Sequence, residues 1–125
     1  MKTIIGAKQD VVKELTALVA DVLARKPEAN IAVSAVDLPA EVLDALAASD
    51  IAFDKAKLFQ ACEYCGAAGK GAHAVGAAFS PLMAAKPFAA VHAPDPDADV
   101  EHAADYDAAI QAAGGLDLVI LGLGE

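Results

Sequence analysis

Tryptophan is absent from this sequence, and aromatic residues make up only 5% of its 125 positions. Large anchoring side chains are therefore scarce. Leu, Ile and Val must fill the core, with Ala letting elements approach closely. Cysteine is nearly absent as well: Cys62 and Cys65 are the only two. Basic residues number 9 against 18 acidic ones, a formal net charge of −9. A surface of that sign repels phosphate backbones, which excludes general nucleic-acid binding. Any anionic ligand must then be held by a local positive feature. No apolar run approaches the roughly 20 residues that a membrane span needs. Residues 1–6 read as a short first strand without the long apolar region and cleavage site of a signal peptide. The expectation is a cytoplasmic protein with neither a membrane nor a nucleic acid as partner. In that setting a structural disulfide between the two cysteines is not expected.

What is present is apolar material, 57% of the chain, arranged in alternating periods. The length suits one domain. After the apolar residues 3–6, the residues Val11, Val12, Leu15, Leu18, Val19, Val22 and Leu23 recur at helical spacing, and Pro27 closes that helix. Residues 31–36 read as a buried strand. Asp37 or a neighbour is placed to cap a helix running through Pro39 to about Ala48, with Val42, Leu43 and Leu46 inward. Residues 57–61 make a third strand leading into a glycine-rich loop. A helix over residues 72–85 has Pro81 as its difficulty. Residues 88–92 are strand-like, residues 100–113 helical with Gly114 and Gly115 as the stop, and residues 116–122 form an almost unbroken apolar strand. This order predicts an α/β fold, a Rossmann-like parallel sheet of about five strands with helices on both faces. In such a sheet, ligands bind beyond the carboxyl ends of the strands.

Several local patterns can be weighed individually. Cys62 and Cys65 have CxxC spacing, yet zinc needs three or four protein ligands and only His73 is near. They read as two incidental thiols, and no metal or cofactor is expected. The run 66–71 offers Gly69 and Lys70, but Tyr64 and Gly71 stand where a phosphate loop requires Gly and a hydroxyl, so it reads as a linker. His92 ends a strand near the expected cleft and reads as a satisfied loop histidine, and His102 as a surface one. Asp95, Asp97 and Asp99 lack the glycine and terminal Glu of a calcium loop, and read as a solvated acidic turn.

The order of these segments, with Cys62-Glu63-Tyr64 after the third strand, His92 to Asp97 after the fourth, and Gly115 to Glu125 at the last, resembles the N-terminal half of the glucosamine-6-phosphate deaminase/isomerase family. That family also takes in the 6-phosphogluconolactonases. The resemblance implies sugar-phosphate chemistry in carbohydrate metabolism: opening of an amino-sugar phosphate and proton transfer between C1 and C2 by a carboxylate base. That carboxylate opens an Asp-Glu-Tyr motif, so the base position falls on Cys62, with Glu63 beside it. An ordinary thiol, with a pKa near 8.5, serves as a base only when that value is lowered. The family's phosphate turn falls on residues 34–39. Ser34 and Pro39 fit it, but glycine is missing and Asp37 puts a carboxylate where a phosphate would sit. Ser34, Asp37 and Tyr64 are thus the substrate-binding positions, Cys62 and Glu63 the vestigial catalytic ones. The family's catalytic histidine follows the segment ending at Glu125.

These departures imply a sugar-phosphate isomerase/deaminase-like chain that is inactive by itself, a sugar phosphate being its candidate ligand. The alternative is a non-catalytic half-domain or truncated scaffold that associates with itself. In the family, later elements flank the strand at 116–122, so a homo-oligomer formed through this C-terminal strand region is the expected association.

Overall fold

The computed structural model describes residues 1–65, 75–99 and 101–124. Helix α1 (Lys8–Arg25) turns only part of its apolar stripe inward: Val19 and Leu23 are buried, whereas Val11 and Leu18 remain exposed. It stops where expected. Lys26 N–H donates to Val22 O at 2.8 Å, and the following Pro27 has no N–H with which to continue.

Strands β1 (Asn30–Val33), β2 (Lys57–Gln60), β3 (Ala90–His92) and β4 (Leu118–Ile120) form one sheet of order β3-β2-β1-β4, every pairing parallel. The N-terminal strand expected over residues 3–6 does not form; that segment is exposed and unpaired. The sheet therefore has four strands among the described residues. Helices α2 (Ala40–Ala48) and α3 (Ser80–Ala85) complete the steps from β1 to β2 to β3. A 3-10 turn, Gly76–Phe79, leads into α3 and leaves Pro81 in the first helical turn. There a missing N–H costs nothing, which removes the difficulty of a mid-helix proline. Residues 72–74 of the expected longer helix, His73, and the run 66–71 lie outside the described residues, as does Val100.

Register fixes the two faces. Ile31 pairs with Leu58 and Leu118, and Val33 with Gln60 and Ile120. The apolar members of this set join Val19, Leu23, Leu43, Leu46, Phe79 and Leu82 in the core. The opposite face carries Asn30, Ala32, Phe59 and His92. It meets the fourth helix, α4 (Ala104–Ala112), which is shorter than the expected 100–113 and buries no residue completely. The handedness of crossovers explains the division. The steps from β1 to β2 to β3 run one way across the sheet, and the return from β3 to β4 runs the other way. Right-handed connections therefore place α4 on the face opposite α2 and α3.

Asn30 makes this return possible. It is buried, and its amide donates to Ala113 O and to Gly115 O, both at 2.8 Å. That clamps the turn in which Gly114 and Gly115 adopt φ of 97° and 84°, a region open to glycine. Asp117 accepts from Asn30 N–H and from Lys26 Nζ, each at 2.8 Å. Among the described residues no helix is long and apolar enough to cross a membrane.

Candidate functional site

Strand order reverses at β1: the chain leaves it toward β2, and β4 later joins its other side. The crevice beyond the carboxyl ends of β1 and β4 is thus the switch point at which such sheets hold ligands. The segments meeting there follow β1 (residues 34–39), β2 (61–65) and β4 (121–124).

Ser34 is the first residue past β1. Its N–H donates to Ile120 O at 2.9 Å, extending the β1–β4 ladder, and its Oγ lies 3.4 Å from Cys62 Sγ. Two positions singled out in the sequence are therefore neighbours, each half-buried. Asp37 does not cap α2: Pro39 is the N-cap and no side chain bonds the helix start. Asp37 instead takes φ 57°, the left-handed region that Asp tolerates better than most residues. The β4 extension lies directly upon it. A β-carbon on Gly122 would stand 2.3 Å from Asp37 C, and one on Gly124 would stand 2.7 Å from Asp37 Oδ2. Glycines at 122 and 124 thus let β4's continuation close over the turn. Glu41, in the first turn of α2, adds a second carboxylate nearby. Its own N–H and the Lys8 ammonium at 3.1 Å hold its pKa below the usual range. The start of α2 is flanked by negative charge, where a phosphate-binding turn would present N–H groups.

Glu63 is occupied differently. Burial raises its pKa, but the N–H groups of Val75, Gly76 and Tyr64 and the Gln60 amide outweigh burial and hold it down to about 2. The four contacts span 2.8 to 3.0 Å. Glu63 is an ionised anchor that ties the end of β2 to the 3-10 turn before α3, a poor source or sink of protons near neutrality. Tyr64 projects outward with 54% of its surface exposed, and Cys65 is exposed and free. Of the five expected site positions, Ser34 and Cys62 touch, Asp37 lies against Gly122 and Gly124, Glu63 bonds the 3-10 turn before α3, and Tyr64 faces solvent.

A cavity of about 650 Å3 lies beyond β2 and β3, against α4, with Glu63, Cys65, His92, Asp95 and Tyr106 in its wall. His92, the last residue of β3, stacks on Phe59 with centroids 4.5 Å apart. The Tyr106 hydroxyl lies 2.7 Å from Gln60 O and 3.2 Å from His92 O, pinning the ends of β2 and β3. Burial pushes its pKa up to about 12. His102 is exposed and lies 2.6 Å from Asp99. No group of three or more His, Cys, Asp or Glu side chains is placed to hold a metal among the described residues.

Sequence reasoning passed over Tyr106 and the two glycines on Asp37. The signal for the glycines was a Gly-x-Gly pair directly after an apolar run; Tyr106 gave none, since its role depends on α4 crossing the sheet. No curated protein sequence matches the chain significantly. A family profile described as glucosamine-6-phosphate isomerases/6-phosphogluconolactonase matches residues 6–125, nearly the full length, in accord with the parallel sheet and its switch-point crevice. The chain belongs to the glucosamine-6-phosphate isomerase/6-phosphogluconolactonase family.

Proposed function

We propose that this chain is a sugar-phosphate isomerase/deaminase-like protein of carbohydrate metabolism that does not itself catalyse the proton transfer of that reaction. The observation that carries this reading is Asp37. Its backbone lies against Gly122 and its carboxylate against Gly124, beyond the ends of β1 and β4 where a sugar phosphate would place its anion. A carboxylate there repels a phosphate. The acid–base set points the same way. At the position of the family's base stands Cys62, beside the Ser34 hydroxyl. The adjacent Glu63 is committed to four donors within the protein.

Proton exchange at C2 of glucosamine 6-phosphate in heavy water, followed by NMR, tests the chemistry directly. Hydrolysis of 6-phosphogluconolactone tests the family's other reaction. The expected result is no exchange or hydrolysis above the uncatalysed rate. Calorimetric titration is expected to show no micromolar binding of glucosamine 6-phosphate. Asp37→Gly keeps the positive φ and removes the carboxylate, so it should bind the same ligand more tightly than the unaltered chain. Turnover by the unaltered chain, or weaker binding by Asp37→Gly, overturns the proposal.

A further inference from the structure

Leu58 and Gln60 stand two residues apart on β2, and a strand turns such a pair to one face. Here it is the face that α3 covers, where Leu58 joins Phe79 and Leu82 in the core. Beside Gln60 the cover is incomplete. A cavity of about 340 Å3 opens there between β2, β3 and the start of α3, with Leu58, Gln60, Phe79, Ser80, Met83 and Val91 in its wall. Met83 and Val91, 39% and 48% exposed, form an apolar rim. No charged side chain among the described residues lines it.

Gln60 is the polar group at the bottom of this wall. It is only 4% exposed, yet half of its amide is idle. Nε2 donates to Cys62 O at 2.8 Å and to Glu63 Oε2 at 2.9 Å, which uses both amide protons and fixes which end is nitrogen. Oε1 accepts no hydrogen bond from any described residue. Nor is it sealed in: among the described residues, no fully buried side-chain oxygen or nitrogen lacks a partner. Oε1 is therefore reachable, and the cavity that Gln60 lines is the space that reaches it. An acceptor so nearly buried is unfavourable without a donor, so a ligand that brings one is held there.

The wall restricts what that ligand is. Without a counter-charge, an ion would lose its hydration uncompensated, so the ligand is neutral. A water alone is a poor occupant, because it needs two to four polar partners. Besides Oε1 the wall offers the Ser80 hydroxyl, on an exposed residue. The remaining surface is apolar, and the thioether of Met83 favours contact with an aromatic ring. A cavity of roughly 150 Å3 holds one benzene ring, so one of about 340 Å3 admits two fused rings. We infer that this cavity binds a neutral aromatic molecule of one or two rings that donates a single hydrogen bond, from O–H or N–H, to Gln60 Oε1.

2-Naphthol serves as the probe, with its methyl ether, 2-methoxynaphthalene, as the same two rings without a donor. Titration of the full chain is followed by probe fluorescence and by NMR of the protein's methyl groups. Naphthol should bind saturably with a Kd below about 1 millimolar and shift the methyl signals of Met83 and Val91 most. It should bind about tenfold more tightly than the ether, the usual worth of one such bond. Gln60→Met keeps the shape and removes the acceptor, so naphthol should lose that advantage. Ala77→Phe adds a ring at an exposed position of the wall and leaves Gln60 alone. It should weaken both probes about tenfold or more by filling the cavity. Circular dichroism confirms that each variant folds, and neither the probe pair nor Ala77→Phe depends on how Gln60→Met folds. No saturable binding by about 1 millimolar overturns the inference. So does equal binding of naphthol and its ether to the unaltered chain, and so do shifts centred away from Met83 and Val91 or binding indifferent to Ala77→Phe.

Discussion

Gly122 lies so close to the turn after β1 that a β-carbon there would stand 2.3 Å from the Asp37 carbonyl carbon. The obstacle is backbone, which cannot rotate away as a side chain can. Gly122→Ala must therefore displace either β4's extension or the turn itself. The expected cost is about 2 kcal/mol, in the range of overpacked cores, read as a lowered urea midpoint at unchanged slope. At Gly124 the nearest atom is Asp37 Oδ2, at 2.7 Å. That carboxylate can swing aside, so Gly124→Ala should cost less than half as much.

Glu63 predicts an acid-sensitive contribution to stability. Its carboxyl is held down to about 2 in the folded chain, against an ordinary value of 4.5. A depressed value means that the contribution is complete above about pH 4.5 and lost as pH falls toward 2. Glu63→Gln should remove that part of the acid dependence. It should also destabilise the chain at pH 7 by about 2 kcal/mol, because donors that faced a carboxylate then face a neutral amide. Urea unfolding of both proteins at several pH values between 2 and 7 checks this, and parallel curves would refute it.

Tyr106 supplies a spectroscopic test of the contact between α4 and the sheet. Its hydroxyl is held between Gln60 O and His92 O, and burial pushes its pKa up to about 12. Tyrosinate absorbance should show a component at about pH 12 that is lost in Tyr106→Phe. The neutral form is the one the fold favours. Its contribution is therefore complete below about pH 10 and lost as pH rises through about 12. Tyr106→Phe should cost about 1 kcal/mol, the usual worth of one hydrogen bond.

Cys62→Asp returns a carboxylate to the position of the family's base, yet it should not produce isomerase or deaminase turnover. The Asp37 carboxylate would still stand against Gly124 and Glu63 would still be engaged by its donors. Groups that act as a unit do not contribute additively. A coupled assay for fructose 6-phosphate or ammonia release from glucosamine 6-phosphate checks this, and measurable turnover would refute it.

Sequence alone determined the alternation of strands and helices, the parallel sheet and the family. These follow from hydrophobic periods, proline and glycine stops, and the order of motifs, all of which are local. Of the five positions that the resemblance singled out, Ser34 and Cys62 lie 28 residues apart and are brought to 3.4 Å only by the strand ends. The fate of residues 3–6 was not local. Thr, Ile and Ile favour a strand wherever a partner edge exists, and among the described residues none takes them up. Composition measures how apolar a strand is, whereas the order in the sheet decides its neighbours: among the described residues β4 pairs with β1, and Val119 stays half exposed although it belongs to an almost unbroken apolar run. The roles of Glu63, Asn30 and Tyr106 were likewise hidden. Each acts by bonding backbone groups 12 or more residues away in sequence, and backbone groups leave no mark in the pattern of side chains. Only the tertiary structure, by setting which carbonyls and N–H groups lie within reach, turned the carboxylate of Glu63 into a structural anchor and laid the Asp37 turn against Gly122 and Gly124.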